Sequence, residues 1–325
     1  MAEAYIIDAV RTPRGIGKPG KGALSHLHPQ HLAATCLKAI KDRNGLDTST
    51  VDDIIWSTSS QNGKQGGDLG RMAALAAGYD ISASGTTLDR FCGGGITSVN
   101  LAAATVMSGM EDCVIAGGTE MMSFTAAYGA ELANAGIRPL GMGSGNRALD
   151  ELHPQSHQGV CGDAIAAREG IDRQALDALA LVSQERAARA IREGRFDKSV
   201  VTVYNEDGTV ALDHEEFPRP ETTMEGLSSL KASFDAMADF ELNAVAALEA
   251  VKAHLASLKS HGGAVVLFSS VAARQGFARA SLSSSSSSCS SCSPRSRSSA
   301  STSEASSSVS GACSPRAIRG SRWAR

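Results

Sequence analysis

The chain has 325 residues, 42% of them hydrophobic, and its 31 Lys and Arg against 34 Asp and Glu leave a formal charge of -3. This is enough material for two domains of ordinary size, and the near-neutral balance argues against nucleic acid or an anionic membrane surface as the main partner. The opening, MAEAYIIDAVRTPRG, lacks a basic stretch followed by a long apolar run, and we expect no spanning helix of roughly 18 apolar residues; the expectation is a cytoplasmic protein acting on small molecules or protein surfaces.

From residue 1 to about 240, short β-branched runs alternate with Ala/Leu-rich helical stretches, the pattern of a layered α/β fold. AYIIDAV (4–10) reads as a strand. PQHLAATCLKAIKDR (29–43) reads as a helix with Leu32, Cys36, Leu37 and Ile40 on one face, and VDDIIWSTSS (51–60) as a second strand. GDLGRMAALAAG (67–78) is a helix closed by Gly78, a residue type that tolerates the left-handed conformation of a helix end. An extended GTTLDR, a turn at Cys92, a helix from about Ile96 to Met107 and a strand DCVIAGG (112–118) follow.

The stretch 123–147, rich in Gly, Ala and Met with little periodicity, reads as an excursion or lid. A long helix is expected from Arg173 to Glu193, capped by Asp172 and followed by Gly194, with Leu176, Leu179, Val182, Ala187 and Ile191 at helical spacing. Near residue 240 the texture changes to one helix, a Gly-Gly turn and a strand AVVLFSS (264–270). Beyond Ala280 the chain is mostly Ser, Arg, Ala and Cys, too poor in apolar groups to offset the entropy of ordering.

The seven cysteines do not form a disulfide framework, because Cys36, Cys92, Cys113 and Cys161 are widely separated in a long chain. Cys289 and Cys292 have CxxC spacing but lie in a serine run with no histidine nearby, so no metal site is expected. Cys36 and Cys113 fall on an apolar helix face and a strand and read as core. Cys92 differs. It precedes three glycines at the mouth of a helix, where unpaired N–H groups and a partial positive charge favour a thiolate. The glycines let a carbonyl approach, and the N–H groups of Cys92, Gly93 and Gly94 can face a developing oxyanion. A buried cysteine beside a tight turn is the alternative reading of the same residues.

FCGGG followed by a helix and then CVIAGGTEMMS strongly resembles the nucleophile region of the thiolase family. The resemblance extends to AYIIDAVRTPRG, to SHQGVCGDAIAAREGIDRQALDALALVSQERAARAIREGRFDKSVVTV and to FPRPETTMEGLSSLKASF, and so covers about 1–240. It implies acyl transfer between thiols, with Cys92 taking the acyl group from a coenzyme A thioester, no resident cofactor or metal, and association into homo-oligomers. His157 in SHQG matches a family histidine that lies along bound coenzyme A, and Arg219 in FPRPETT falls where a basic residue often sits near the nucleotide part. From the residues alone, His157 reads equally as a surface histidine and Arg219 as a solvated one.

The resemblance further implies two similar halves with a loop domain inserted in the first, of which 1–122 would supply the N-terminal α/β core and 123–240 the loop domain and the return to the core. After residue 240 we find no Asn-Glu-Ala-Phe segment, no Gly-His-Pro loop and no second Cys-x-Gly-Gly. His254 and His261 lack the matching context. Residues 241–277 instead resemble a helix and strand of the short-chain dehydrogenases, with Asn243 and Ser270 on that family's Asn and Ser, while its Tyr and Lys would fall on Ser283 and Ser287. The Ser/Arg-rich tail, 278–325, resembles neither family. The expectation is a thiolase-type first half with its nucleophile and without the base that serves it, either an incomplete acyltransferase or a non-catalytic remnant that binds acyl-CoA or a partner subunit.

Overall fold

The computed structural model describes residues 3–137, 144–153 and 157–234, so the dehydrogenase-like segment 241–277 and the tail 278–325 lie outside the described residues. At its centre are three parallel strands, β1 (Asp53–Thr58), β2 (Thr86–Asp89) and β3 (Val114–Gly118), in the order β2-β1-β3. Residues 54–58 of the central strand are all buried, as expected of a parallel strand covered on both faces.

Helix α2 (Leu69–Ala76) carries the chain from β1 to β2, and α3 (Gly94–Ser108) from β2 to β3. Successive side chains of β1 face opposite ways, and their neighbours show which helix covers which face: Trp56 lies against Gly70 of α2, and Ser57 against Gly94 of α3. Helix α1 (Pro29–Asn44) packs on α2, and Leu37, Ile54, Trp56, Leu69 and Ala73 form the centre of the main core. The caps follow the sequence. Proline opens α1 and Gly45, at φ 55°, ends it, while the Asp68 carboxylate accepts from the Arg71 N–H (3.4 Å) at the start of α2.

Three expectations change. The predicted strand 4–10 is not one: Tyr5, Ile6 and Ile7 are exposed, and the first backbone ladder contact comes only at Arg11, which donates to Ser199 O (2.8 Å) and accepts from Val201 N–H (2.9 Å). A strand needs a neighbour's donors and acceptors, whatever its propensity. The stretch 123–147, read as an excursion or lid of little periodicity, is largely helical at its start, in α4 (Met122–Asn134), because alanine-rich sequence favours helix even without an apolar stripe, and α5 (Arg147–Leu152) begins at its end. Within α4, Phe124 and Tyr128 stack at 5.6 Å, one turn apart. Third, Phe91–Ser108 is long and apolar enough, by length and composition, to cross a membrane, although it sets Ser98 and Ala102 against the sheet.

Helices α6 (Gln158–Arg168) and α7 (Arg173–Arg192) follow. Asp172 caps α7 as expected, accepting from the Ala175 N–H (2.8 Å). Its apolar stripe is less buried than its spacing implies: Leu179 and Ile191 are exposed, and the buried residue of α7 is Asp177, held by Arg173 Nε at 2.7 and 2.8 Å.

Strands β4 (Val203–Tyr204) and β5 (Val210–Leu212) form an antiparallel pair, and Val203 and Leu212 join Leu24, Leu27, Leu32 and Met121 in a second core. Beyond β5, two glutamates tie this region to the N-terminal segment. Glu215 pairs with Arg11 and Arg14 and accepts from the Arg14 N–H (3.0 Å), while Glu216 accepts from the Ile16 N–H (2.8 Å) and the Ala23 N–H (3.1 Å). Burial pushes the Glu215 carboxyl up, but the Arg14 N–H and the two guanidiniums outweigh it and the net shift is downward. A carboxyl held below its ordinary range contributes stability at neutral pH that is lost as pH falls through the lowered value. Glu215→Gln is therefore expected to cost about 2 kcal/mol at pH 7. In thermal melts against pH, the gap between the two proteins should close on acidification.

Candidate active site

Strand β2 delivers the chain to Cys92 through Arg90, and Phe91–Gly93 make a single 3-10 turn that runs directly into α3. Cys92 is exposed at the N-terminal end of that helix. Phe91, just before it, has φ 43°, a left-handed conformation that bulky residues rarely adopt.

The glycines after Cys92 have different tasks. A Cβ on Gly94 would lie 2.7 Å from Ser57 Oγ, so Gly94 lets α3 close onto β1; a Cβ on Gly95 would meet nothing within 4 Å, leaving that side open. The N–H of Gly93 donates to Arg90 O (3.0 Å) and that of Gly94 to Phe91 O. The two glycine donors expected to face an oxyanion are thus engaged in closing the turn that presents the thiol.

Beneath the turn lie the C-terminal ends of β1 and β3. Trp56 pairs with Gly117 and Ser57 with Gly118. Both glycines are required by contact, since a Cβ would come within 2.4 Å of the Trp56 ring at Gly117 and within 2.4 Å of Ser57 Oγ at Gly118. Ser98 of α3 donates to Gly117 O (3.0 Å), and Thr119 N–H donates to Ser57 O (2.9 Å). Just past the strands, Gln65 Nε2 donates to Thr58 Oγ1 (2.9 Å) and Gln65 Oε1 accepts from Met121 N–H (2.8 Å). Sequence reasoning missed this network; the available signal was a polar residue in a Gly-rich loop, which also fits a solvated turn.

His157 caps α6: its Nδ1 accepts from the Gly159 N–H (3.1 Å), which places the proton of the neutral ring on Nε2. Its ring lies 5.1 Å from that of Phe234, which is buried against Gly159, where a Cβ would come within 2.1 Å of the phenyl. The structure thus brings His157 and Phe234 together, a partner the sequence did not single out. Arg219 is exposed on a separate segment, its N–H donating to Gln184 Oε1 (2.8 Å) and its carbonyl accepting from Thr222 Oγ1 (2.7 Å). A shallow cleft of about 430 Å³ lies between α7 and α8 (Met224–Ser228), lined by Arg173, Asp177 and Met224 among others.

Among the described residues no group of three or more His, Cys, Asp or Glu is placed to hold a metal ion. The other described thiols are less accessible. Burial pushes the Cys36 thiol up to about 11 and raises that of Cys113, for which the Asp52 carboxylate adds to the effect. Iodoacetamide at pH 8 is expected to modify Cys92 well before Cys36, an order that peptide mass spectrometry reads directly.

Comparison with known proteins places this geometry. The family described as thiolase, N-terminal domain, matches residues 4–239. A steroid 3-ketoacyl-CoA thiolase of Mycobacterium tuberculosis is 35% identical over 236 residues, covering 71% of this chain and 56% of the relative. A 3-oxoadipyl-CoA/3-oxo-5,6-dehydrosuberyl-CoA thiolase of Escherichia coli is 37% identical over 247 residues, covering 73% and 61% respectively. The crystal structure of the Bacillus anthracis acetyl-CoA acetyltransferase superposes with a TM-score of 0.58 at 28% identity, over 72% of this chain and 59% of that one. The chain spans less than two thirds of the length of these relatives. Within that span the match takes in the parallel sheet, the Cys92 turn and the His157 cap, and the chain belongs to the thiolase family.

Proposed function

We propose that this chain carries out thiolase-type acyl transfer through an acyl-enzyme on Cys92. The observation that carries the reading is the exposed thiol of Cys92 on a glycine-rich turn at the mouth of α3, with Gly95 leaving the approach open. In the first half-reaction the Cys92 sulfur, as thiolate, attacks the carbonyl carbon of a coenzyme A thioester. The new C–S bond forms, the bond to the coenzyme sulfur breaks, and the departing thiolate takes a proton from solvent. In the second half-reaction the sulfur of a free coenzyme A attacks the acyl carbon, the bond to the Cys92 sulfur breaks, Cys92 leaves as thiolate and the coenzyme's proton passes to solvent, giving ping-pong kinetics.

Cys92 stands at the N-terminal end of α3, where a helix dipole favours negative charge; because the N–H groups of Gly93 and Gly94 close the turn, the N–H of Cys92 is assigned to the developing oxyanion. His157 with Phe234, and Arg219, are assigned to the coenzyme, as an apolar and polar wall and as a cation for its phosphates. The substrate is a coenzyme A thioester and no resident cofactor is needed. Residues 1–122 act as core and 123–240 as loop domain, in a cytoplasmic homo-oligomer. The names of the relatives, all thiolases acting on 3-ketoacyl-type thioesters, support the reaction class. Incubation with acetyl-CoA followed by mass spectrometry of the Cys92 peptide tests the reading; an unmodified peptide would overturn it.

One observation favours a second reading. Among the described residues no histidine hydrogen-bonds Cys92, the kind of partner that activates a thiol nucleophile. A chain that binds coenzyme A without turnover would show a rise in melting temperature with ligand, about 2.7 kcal/mol at a hundredfold excess over Kd, and no adduct.

A further inference from the structure

We infer that Gln65 is a positioning residue for the Cys92 thiol: its buried amide locks together the ends of β1 and β3 on which the Cys92 turn rests. This rests on reading Cys92 as the acyl acceptor and adds a residue that never touches the substrate.

Gln65 is fully buried, although it sits in a Gly-rich loop between a strand and a helix. A buried amide is costly unless its donors and acceptor are used, and here they are. Nε2 donates to Thr58 Oγ1 (2.9 Å), Ser60 O (3.3 Å) and Glu120 Oε1 (3.3 Å), and Oε1 accepts from Met121 N–H (2.8 Å). Two of these partners end or follow β1 and two follow β3. The Glu120 carboxylate completes the knot, accepting from Ser59 N–H (2.7 Å) and Thr58 Oγ1 (3.2 Å).

The same loop holds the strand that delivers the cysteine. Gln61 Nε2 donates to Thr87 O (3.1 Å), and Thr87 Oγ1 donates to the Asp68 carboxylate (2.7 Å). All three strands under the turn are therefore tied by side chains of residues 61–68 and by Glu120. The tie reaches Cys92 through contacts with no slack: Gly94 against Ser57, Gly118 against Ser57, and Ser98 on Gly117 O. A well-packed apolar side chain would serve stability as well as a buried amide; a fully bonded amide selects one arrangement of the strand ends. Displacement of the thiol from the mouth of α3 takes it out of the helix-terminal field, which falls off within the first turn.

The test uses the full chain and iodoacetamide, so that it does not depend on acyl transfer. Gln65→Met is expected to slow alkylation of Cys92 at pH 7.5 by about tenfold, and Glu120→Gln by about threefold, as the thiol leaves the field of the helix terminus. The double variant Gln65→Glu with Glu120→Gln reverses the polarity of the pair: the new carboxylate accepts from Met121 N–H and Thr58 Oγ1, and the new amide donates to it while accepting from Ser59 N–H; the bond to Ser60 O (3.3 Å in the parent) is lost. It should recover part of the rate and react faster than either single variant. Exposure of Cys36 to the reagent reports unfolding, and if Gln65→Met unfolds, Glu120→Gln and the double variant decide. Parent-like alkylation in the single variants, with only the melting temperature lowered, would overturn the inference, as would a double variant as slow as the singles. Failure of acetyl-CoA to label Cys92 in the parent, with the alkylation series as expected, would remove the acyltransferase reading and leave the positioning role standing.

Discussion

Cys92→Ala is expected to abolish the acetyl adduct formed from acetyl-CoA on this chain, a complete loss rather than a fold-reduction. Only a thiolate attacks the thioester at a useful rate, and the other described thiols are poorly placed to replace it. Cys36 titrates near 11 because it is buried, so almost none of it is ionised at neutral pH, and Cys113 is raised in the same direction by burial. Cys161 is only partly exposed, in the first turn of α6 with its N–H donating to His157 O (3.1 Å). Intact-mass and peptide analysis after brief incubation distinguish the outcomes. A single adduct on the Cys92 peptide, lost in the variant, is the expected result. Label that persists in Cys92→Ala, spread over other cysteines or lysines, would mean non-enzymic acetylation, and the proposed chemistry would fall.

Physical signals of different strength explain which parts of this fold could be read beforehand. The central strand DIIWST and helices α1, α2, α3 and α7 carry periodicity, caps and terminal glycines, and they appear within a few residues of where the sequence puts them. The N-terminal run AYIIDAV has the right propensity, yet strand formation depends on a neighbour that propensity cannot supply. Helix α4 is hidden for the opposite reason: it has helix-favouring alanines but no amphipathic stripe to show a period.

At the site, Cys92 could be singled out because a thiol followed by glycines at a helix start is a local pattern. The separate roles of those glycines could not, since they depend on whether Ser57 or open space stands opposite each Cα. Gln65 and Phe234 act through partners 56 residues away for the Gln65–Met121 bond, and 77 residues away for the Phe234–His157 ring contact. No local pattern marks such pairs.

A large loss of stability from a single added carbon is expected at Gly117. In Gly117→Ala the new methyl would lie 2.4 Å from Trp56 Cζ3, 2.7 Å from Cη2 and 2.9 Å from Cε3. The indole has little room to retreat: its Nε1 donates to Thr119 Oγ1 (3.0 Å), and on the α2 side its Cβ lies 2.5 Å from where a Cβ on Gly70 would stand. Overpacking of this kind costs about 3 kcal/mol when the neighbour is pinned. Trp56→Leu alone is expected to cost a similar amount by leaving a cavity. The two together should cost at least 1 kcal/mol less than the sum, because the added methyl occupies space the indole gave up. Urea unfolding of the four proteins in a double-mutant cycle measures that coupling; strict additivity would show that the indole is not the wedge. Because Gly117 O also accepts from Ser98 Oγ of α3, Gly117→Ala should slow Cys92 alkylation even at temperatures where the variant stays folded, and this tests whether the packing of the strand end reaches the thiol.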